Sequence, residues 1–423
     1  MTVADSLGAT ACAWRALLPA DREFVALPHS SRPVIVAERD SAVLGYVREA
    51  MLARPPHSRL PGWAYESARL ALRVPGAWTL APRLAPSAGS GRDPDEVALA
   101  NWIAGSRHRL IVLDHSHDPD RRFILLLLPA GASEPVIAVK VATCAAAAVR
   151  IETERERLRL LADAPLGEIR GTMPSLVDVP ATVTLPVLAM TARPGTPMLV
   201  ASYRGGRSAG SQAVGSHFAA AQDWLTTLQS VPTGGPVRLD VAQTTVDAAE
   251  RQLGGSAADL RSVRAALGAL RGRLQAYRAA STVVHGDFWS GNILLRDGRV
   301  SGVVDWERAE PVGSPIRDLG RFATGYSMYL DRQTRPGRPV SGCPGLIAGA
   351  PEAGLRYALT GAGWYPRVVG AFLDQGLRRL GLPGCLGPDV MLAELAAIAA
   401  EATDLQFGVA QWRVFAQLCE GRR

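Results

Sequence analysis

The chain has 423 residues, 48% of them hydrophobic and 20% charged, a composition that excludes disorder and leaves room for two or three domains. Its formal net charge is +7, but the arginines are dispersed and often neighbour acids, as in RIETERERLR (150–159), so a helix face laced with i,i+4 pairs accounts for them better than a nucleic-acid-binding patch. Five widely spaced cysteines form no CxxC, the N-terminus has no basic n-region and no apolar run approaches a membrane span; a cytoplasmic protein with no nucleic-acid or membrane partner is the expectation.

In chain order, residues 1–108 alternate strand-like runs such as RPVIVAE (32–38) with helix-like ones such as SAVLGYVREAML (41–52). A loop rich in Pro, Gly and Ser (81–96) and a helix at 94–105 follow. This segment carries no motif and is expected as an extra α/β piece of unknown role. From 109 the texture turns to β: RLIVLD (109–114), RFILLLL (122–128) and PVIAVKVA (135–142) are rich in branched residues. A charged helix follows at 150–162, with Ile151, Leu158 and Leu161 at helical spacing, then a strand-like run at 182–192.

After residue 193 the pattern is mainly helical, with helices expected at 216–231, 241–253, 257–277, about 366–380 and 389–419, and a loop at about 331–353. Within this region NILL and GVVDW flank RDGR (296–299), the signature of a hairpin. The sequence therefore divides at 1–108, 109–192 and 193–423.

Three polar residues interrupt the apolar run VVHGDFWSGNILL (283–295): His285, Asp287 and Asn292. Lys140 is the only lysine beside 45 arginines, and Asn292 is one of two asparagines. Lysine is a compact point charge and arginine a planar fork, so a position that resists the bias towards arginine requires the former. A strand lysine, a helix glutamate to hold it, then Asp-x4-Asn and a further aspartate, Asp305, are the parts phosphoryl transfer needs; the Asp-to-Asn spacing is that of the protein-kinase catalytic loop.

At these positions the chain resembles the aminoglycoside phosphotransferase and choline kinase family. HGDFWSGNIL is similar to its catalytic loop, and VVDWERAEPVGSPIRDLG (303–320) to its metal-binding segment. The resemblance covers about 109–423 and implies an α+β, protein-kinase-like, two-lobed fold, with a β-rich N-lobe (109–192) and a mainly helical C-lobe (193–423). It implies ATP (or GTP) and Mg2+ as cofactors and a hydroxyl of a sugar, amino sugar, aminocyclitol or amino alcohol as acceptor. Asp287 would be the catalytic base, Asn292 and Asp305 the metal ligands, Asp318 a structural anchor and Lys140 the phosphate-binding lysine. Glu154 is the assigned partner of Lys140, with Glu152 and Glu156 left open. Residues 188–192, Met190 and Ala192 among them, would meet adenine through backbone groups. His285 is read as structural, and Trp289 and Trp306 as packing or as an acceptor wall. Glu394, Glu401 and Asp404 share a face of one expected helix, either as a solvated stripe or to receive a cationic substrate. The loop HSHDPDRR (115–122) contains no glycine where such folds usually approach phosphate; on that ground the alternative is a nucleotide-binding scaffold with little turnover.

Overall fold

The computed structural model describes residues 15–421 apart from 16, 29–32, 53–61, 75, 85–93, 115–121, 181, 184–185 and 204–209. His115, His117 and all but the last residue of the glycine-free loop lie outside the described residues. The chain has an α+β fold and divides into two compact units, one of residues 1–53, 63–162 and 173–195, the other of 54–62, 163–172 and 196–423.

The first unit is built on a seven-stranded antiparallel sheet, ordered β3 (Arg83–Leu84), β1 (Phe24–Pro28), β2 (Pro33–Glu38), β4 (Arg109–Leu113), β5 (Arg122–Leu128), β6 (Ile137–Ala142), β7 (Val187–Thr191). Strand side chains alternate between faces, so each strand supplies two cores. On one face Phe123, Leu125 and Leu127 of β5 meet Val139 and Val141 of β6 and Leu99 and Ile103 of helix α1 (Pro94–Gly105). On the other, Val25, Ile35, Ala37 and Ile111 pack with Val43, Leu44 and Val47. Burying one such aliphatic side chain is worth about 1.5–3 kcal/mol, which sets the scale of what holds the sheet together.

The first 108 residues, expected as an extra α/β piece, contribute strands to the same sheet across the sequence division at 108. β2 pairs directly with β4 through Ile35–Leu113, Val36–Val112 and Ala37–Ile111, and α1 covers the sheet. A buried charge fastens the junction: the Glu38 carboxylate accepts from the Leu110 amide (3.1 Å) and pairs with Arg22 (3.1 Å) and Arg109 (2.5 Å). No motif marks this continuation because strand pairing over 70 residues of sequence leaves only a hydrophobic pattern.

The second unit is mainly helical. Its longer helices are α3 (Ser211–Leu228), α4 (Gln243–Leu253), α5 (Ala257–Leu274), α6 (Ile316–Met328), α7 (Trp364–Arg379), α8 (Gly387–Glu401) and α9 (Leu405–Glu420); α2 (Ala145–Ala162) belongs to the first unit. Phe218 of α3, Phe322 and Tyr326 of α6 and Phe372 of α7 form one aromatic core, with Phe218 centroids 5.0 Å from both α6 rings and 5.3 Å from Phe372. The hairpin expected around RDGR is present as β8 (Ile293–Arg296) and β9 (Arg299–Val303). Asp297 and Gly298 both take positive φ (51° and 74°) at its turn, the conformation a two-residue Asp-Gly turn requires.

The helix expected over 389–419 is two helices. Ala402 leaves the helical conformation (ψ 125°), and the Asp404 side chain accepts from the Gln406 and Phe407 amides (2.8 and 3.3 Å), capping the start of α9. An aspartate that can satisfy the first amides of a new helix ends the old one there. Asp404 consequently does not share a helix face with Glu394 and Glu401. Among the described residues, no helix is long and apolar enough to cross a membrane, and no disulfide joins the cysteines.

Candidate active site

In the first unit, Lys140 lies in β6 between Ile124 of β5 and Leu188 of β7. Its Nζ donates to Glu154 Oε2 at 2.5 Å, and Arg122 Nη1 lies 3.9 Å from the same oxygen. Of these three glutamates along α2, only the assigned Glu154 is buried, together with Ile151, Leu158 and Leu161, so helical spacing aims it at the sheet. Glu152 and Glu156 are exposed. Met190 packs in a small core with Ile151, Leu188 and Leu176. The Ala192 amide already donates to Val136 O (2.9 Å), and that of Thr191 to Ser175 O (2.8 Å). Neither amide is left for an adenine; any backbone contact by Ala192 has to use its carbonyl.

In the second unit, the loop 285–292 connects the strand Thr282–Val284 to β8 and is fastened at its start by Asp318 of α6. The buried Asp318 carboxylate accepts from the amides of His285 (2.8 Å) and Gly286 (2.9 Å). Burial raises the Asp318 pKa despite these bonds and the neighbouring His285 and Arg317. Gly286 is required here: its φ is +78°, and a Cβ would stand 2.2 Å from the Arg308 carbonyl oxygen. His285 donates from Nε2 to Val304 O (3.0 Å), while its Nδ1 accepts from the Asp287 amide (3.2 Å). Both ring nitrogens are thus used by the backbone, and burial lowers the His285 pKa, favouring the neutral ring. Phe288 stacks on Trp224 (4.7 Å, 10°). Trp306 is fully buried, with its Nε1 donating to Val303 O (2.8 Å), so it packs the loop from behind. Trp289 is partly buried and stacks on Tyr329 (5.5 Å, 23°).

This scaffold presents Asp287 and Asn292 to each other. Asn292 Nδ2 donates to Asp287 O (3.0 Å) and Oδ2 (2.9 Å), using both amide hydrogens and fixing the direction of its own oxygen. Asp305 follows the hairpin; Ile293 pairs with Val303, and the Val304 amide donates to Asn292 O (3.0 Å), so the hairpin base brings the Asn292 and Asp305 backbones together. Asp305 adopts φ 70°, ψ 61°, a left-handed conformation that costs an aspartate about 1–2 kcal/mol and recurs at functional sites.

Sequence reasoning missed Arg321. Its Nε and Nη2 donate to Asp287 Oδ1 at 2.8 and 2.5 Å, and its Nη1 lies 3.5 Å from Glu401 Oε2. Burial opposes its charge, but Asp287, Glu401 and Glu394 outweigh that and raise its pKa further. The available signal was spacing: Asp318 and Arg321 are three apart on one helix and so both reach the loop. The acidic pair Glu394 and Glu401 is likewise not a solvated stripe. Glu401 pairs with Arg308, Arg317 (3.5 Å) and Arg321. Glu394 is buried, 3.9 Å from Arg317 Nε, and burial pushes its pKa up to about 7.

The sequence profile described as the phosphotransferase enzyme family matches residues 126–343, just over half of the chain. A search of curated proteins finds no match. Among solved structures, the chain is similar to a thermostable mutant of the aminoglycoside phosphotransferase APH(4)-Ia in its apo form, at 15% identity over 74% of this chain and 92% of that one, TM-score 0.43. It is similar to ADP-bound aminoglycoside phosphotransferase APH(2'')-Ib at 14% identity over 73% and 93%, TM-score 0.38. For a macrolide 2'-phosphotransferase from Brachybacterium faecium the values are 19% identity, 63% and 92%, and TM-score 0.35.

Proposed function

Because the chain belongs to the phosphotransferase enzyme family, we propose that it transfers the terminal phosphoryl group of ATP or GTP to a hydroxyl of a small metabolite. The observation that carries this reading is the bonding of Asp287. A carboxylate has about four acceptor directions; two on Oδ1 are taken by Arg321 and one on Oδ2 by Asn292. The remaining direction on Oδ2 is where an acceptor hydroxyl can donate, and Asp287 then takes its proton as the oxygen attacks phosphorus.

Lys140, held by Glu154, is the residue proposed to neutralise nucleotide phosphate oxygens. Asn292 and Asp305 would hold Mg2+: both offer the oxygen donors this hard cation prefers, and the two hydrogen bonds from Asn292 Nδ2 leave its oxygen, not its nitrogen, as the ligating atom. When bound, Mg2+ supplies charge neutralisation at the phosphates. Suitable acceptors are a sugar, an amino sugar, an aminocyclitol or an amino alcohol.

The test is isothermal titration of ATP and GTP with and without Mg2+, on wild type, Asp287→Asn and Asp305→Ala, beside ADP release with an acceptor panel. Metal-dependent binding lost in Asp305→Ala, and retained in Asp287→Asn with turnover lowered at least about a hundredfold, supports the assignment. Turnover by Asp287→Asn at the wild-type rate would refute it.

A further inference from the structure

We infer that Arg321 is the positioning residue for Asp287, fixing which carboxylate oxygen faces the acceptor. The inference rests on the reading of Asp287 as the base. A carboxylate held at a single point can rotate about χ2 and exchange its oxygens. Here two donors from one rigid guanidinium, Nε at 2.8 Å and Nη2 at 2.5 Å, converge on Oδ1, while Asn292 Nδ2 holds Oδ2 from the other side at 2.9 Å. The two grips are independent: one comes from α6, the other from the loop itself five residues on. Together they fix the plane of the carboxylate and leave Oδ2 as the oxygen with an acceptor direction to spare.

Arg321 is itself well placed to impose a geometry. It is 9% exposed, sits on the same helix as Asp318, which ties down the loop's first amides, and is braced by Glu401 of α8. Helix α6 therefore sets both where the loop begins and how its aspartate is turned. A merely structural arginine would need no two-pronged contact with the one carboxylate proposed to react. Lysine in its place would keep the charge but not the planar fork.

The experiment uses the full chain and Mg2+·ATP, with ADP release measured for water alone and for glucose, glucosamine, streptidine and choline as acceptors. Arg321→Gln should lower kcat roughly a hundredfold, the penalty of an angstrom-scale misplacement, with KM for ATP within about twofold. Arg321→Lys should recover part of the loss, and stands in should Arg321→Gln fail to fold; a kcat fall of about tenfold at unchanged KM is its expected result. In an Asp287→Asn background, Arg321→Gln should cost nothing more, because two residues acting as a unit are not additive. The inference is overturned if Arg321→Gln keeps wild-type kcat, if its effect falls on KM for ATP, or if it lowers Asp287→Asn by the same factor as wild type. It falls together with the functional reading if wild type releases no ADP or if Asp287→Asn is as active as wild type; a silent Arg321 beside a dead Asp287→Asn removes the inference alone.

Discussion

Replacing Glu394 by glutamine should stabilise the protein at alkaline pH and change little in acid. Glu394 sits on α8 in the space left by Gly320, where a Cβ would lie 2.6 Å from its Cγ. Its Oε2 has no hydrogen-bond partner among the described residues, and its nearest cation, Arg317, is 3.9 Å away. Burial therefore outweighs attraction, and the pKa rises from its ordinary 4.5 to about 7. A carboxyl whose pKa is raised by folding contributes fully below its unfolded value, and that contribution is lost as pH rises through the folded value. The window is thus about pH 4.5 to 7, and at about 1.4 kcal/mol per pKa unit the loss amounts to roughly 3 kcal/mol. Glutamine has nearly the same volume and no charge to desolvate. Urea unfolding at pH 4 and pH 8 should show similar midpoints for the two proteins in acid and a higher midpoint for Glu394→Gln in base, with m unchanged. A variant less stable than its parent at pH 8 would mean that ionised Glu394 is a net-favourable partner of Arg317, and would refute the reasoning.

Asp287→Asn should lower kcat by about 10²–10⁴ while leaving nucleotide affinity intact, as expected for loss of a general base, with titration calorimetry checking the second half. Asp318→Asn exchanges one of two acceptor oxygens for an amide group facing a backbone N–H; losing one charge-assisted bond and leaving a buried donor unsatisfied should cost about 3–5 kcal/mol, read as a lower urea midpoint. Gly286→Ala should destabilise still more visibly than a left-handed alanine alone, about 1–2 kcal/mol, because its Cβ overlaps the Arg308 carbonyl; an unchanged midpoint would show that the loop can shift. Lys140→Arg should lose nucleotide affinity and turnover together, and near-normal values for both would remove Lys140 from the proposed phosphate contact.

The hairpin was legible because Asp-Gly between two apolar runs has one favourable geometry, and the sheet from β4 to β6 because branched residues between turn signals have few alternatives. The choice of Glu154 came from the resemblance, in which Leu158 and Leu161 follow at +4 and +7; helical spacing with Ile151 is what puts it on the buried face of α2. What was not legible depended on partners distant in sequence. Nothing local to RPVIVAE says that it will pair with residues 111–113, and nothing local to Glu401 says that three arginines from two different segments will surround it. The break at 402–404 was masked because a capping aspartate in an alanine-rich stretch looks like one more polar position on a continuing helix.

The unevenness of the composition has a physical counterpart at two of the positions that depart from it, Lys140 and Asn292. At Lys140 the neighbours leave little latitude: Ile124 and Leu188 flank it in the sheet, and the buried Glu154 carboxylate it meets already has Arg122 Nη1 at 3.9 Å. A second guanidinium would bring two forks to one acid in the space an ammonium fills. At Asn292 a carboxylate would turn an acceptor toward Asp287 Oδ2 and repel it, while glutamine would carry its amide one methylene too far to hold Asp287 O and Oδ2 at once. Arginine serves where the need is the opposite, a rigid fork converging on one oxygen, as Arg321 does on Asp287. The same bias that filled the surface with guanidinium groups thus left each of these three positions with the side chain whose shape its contacts demand.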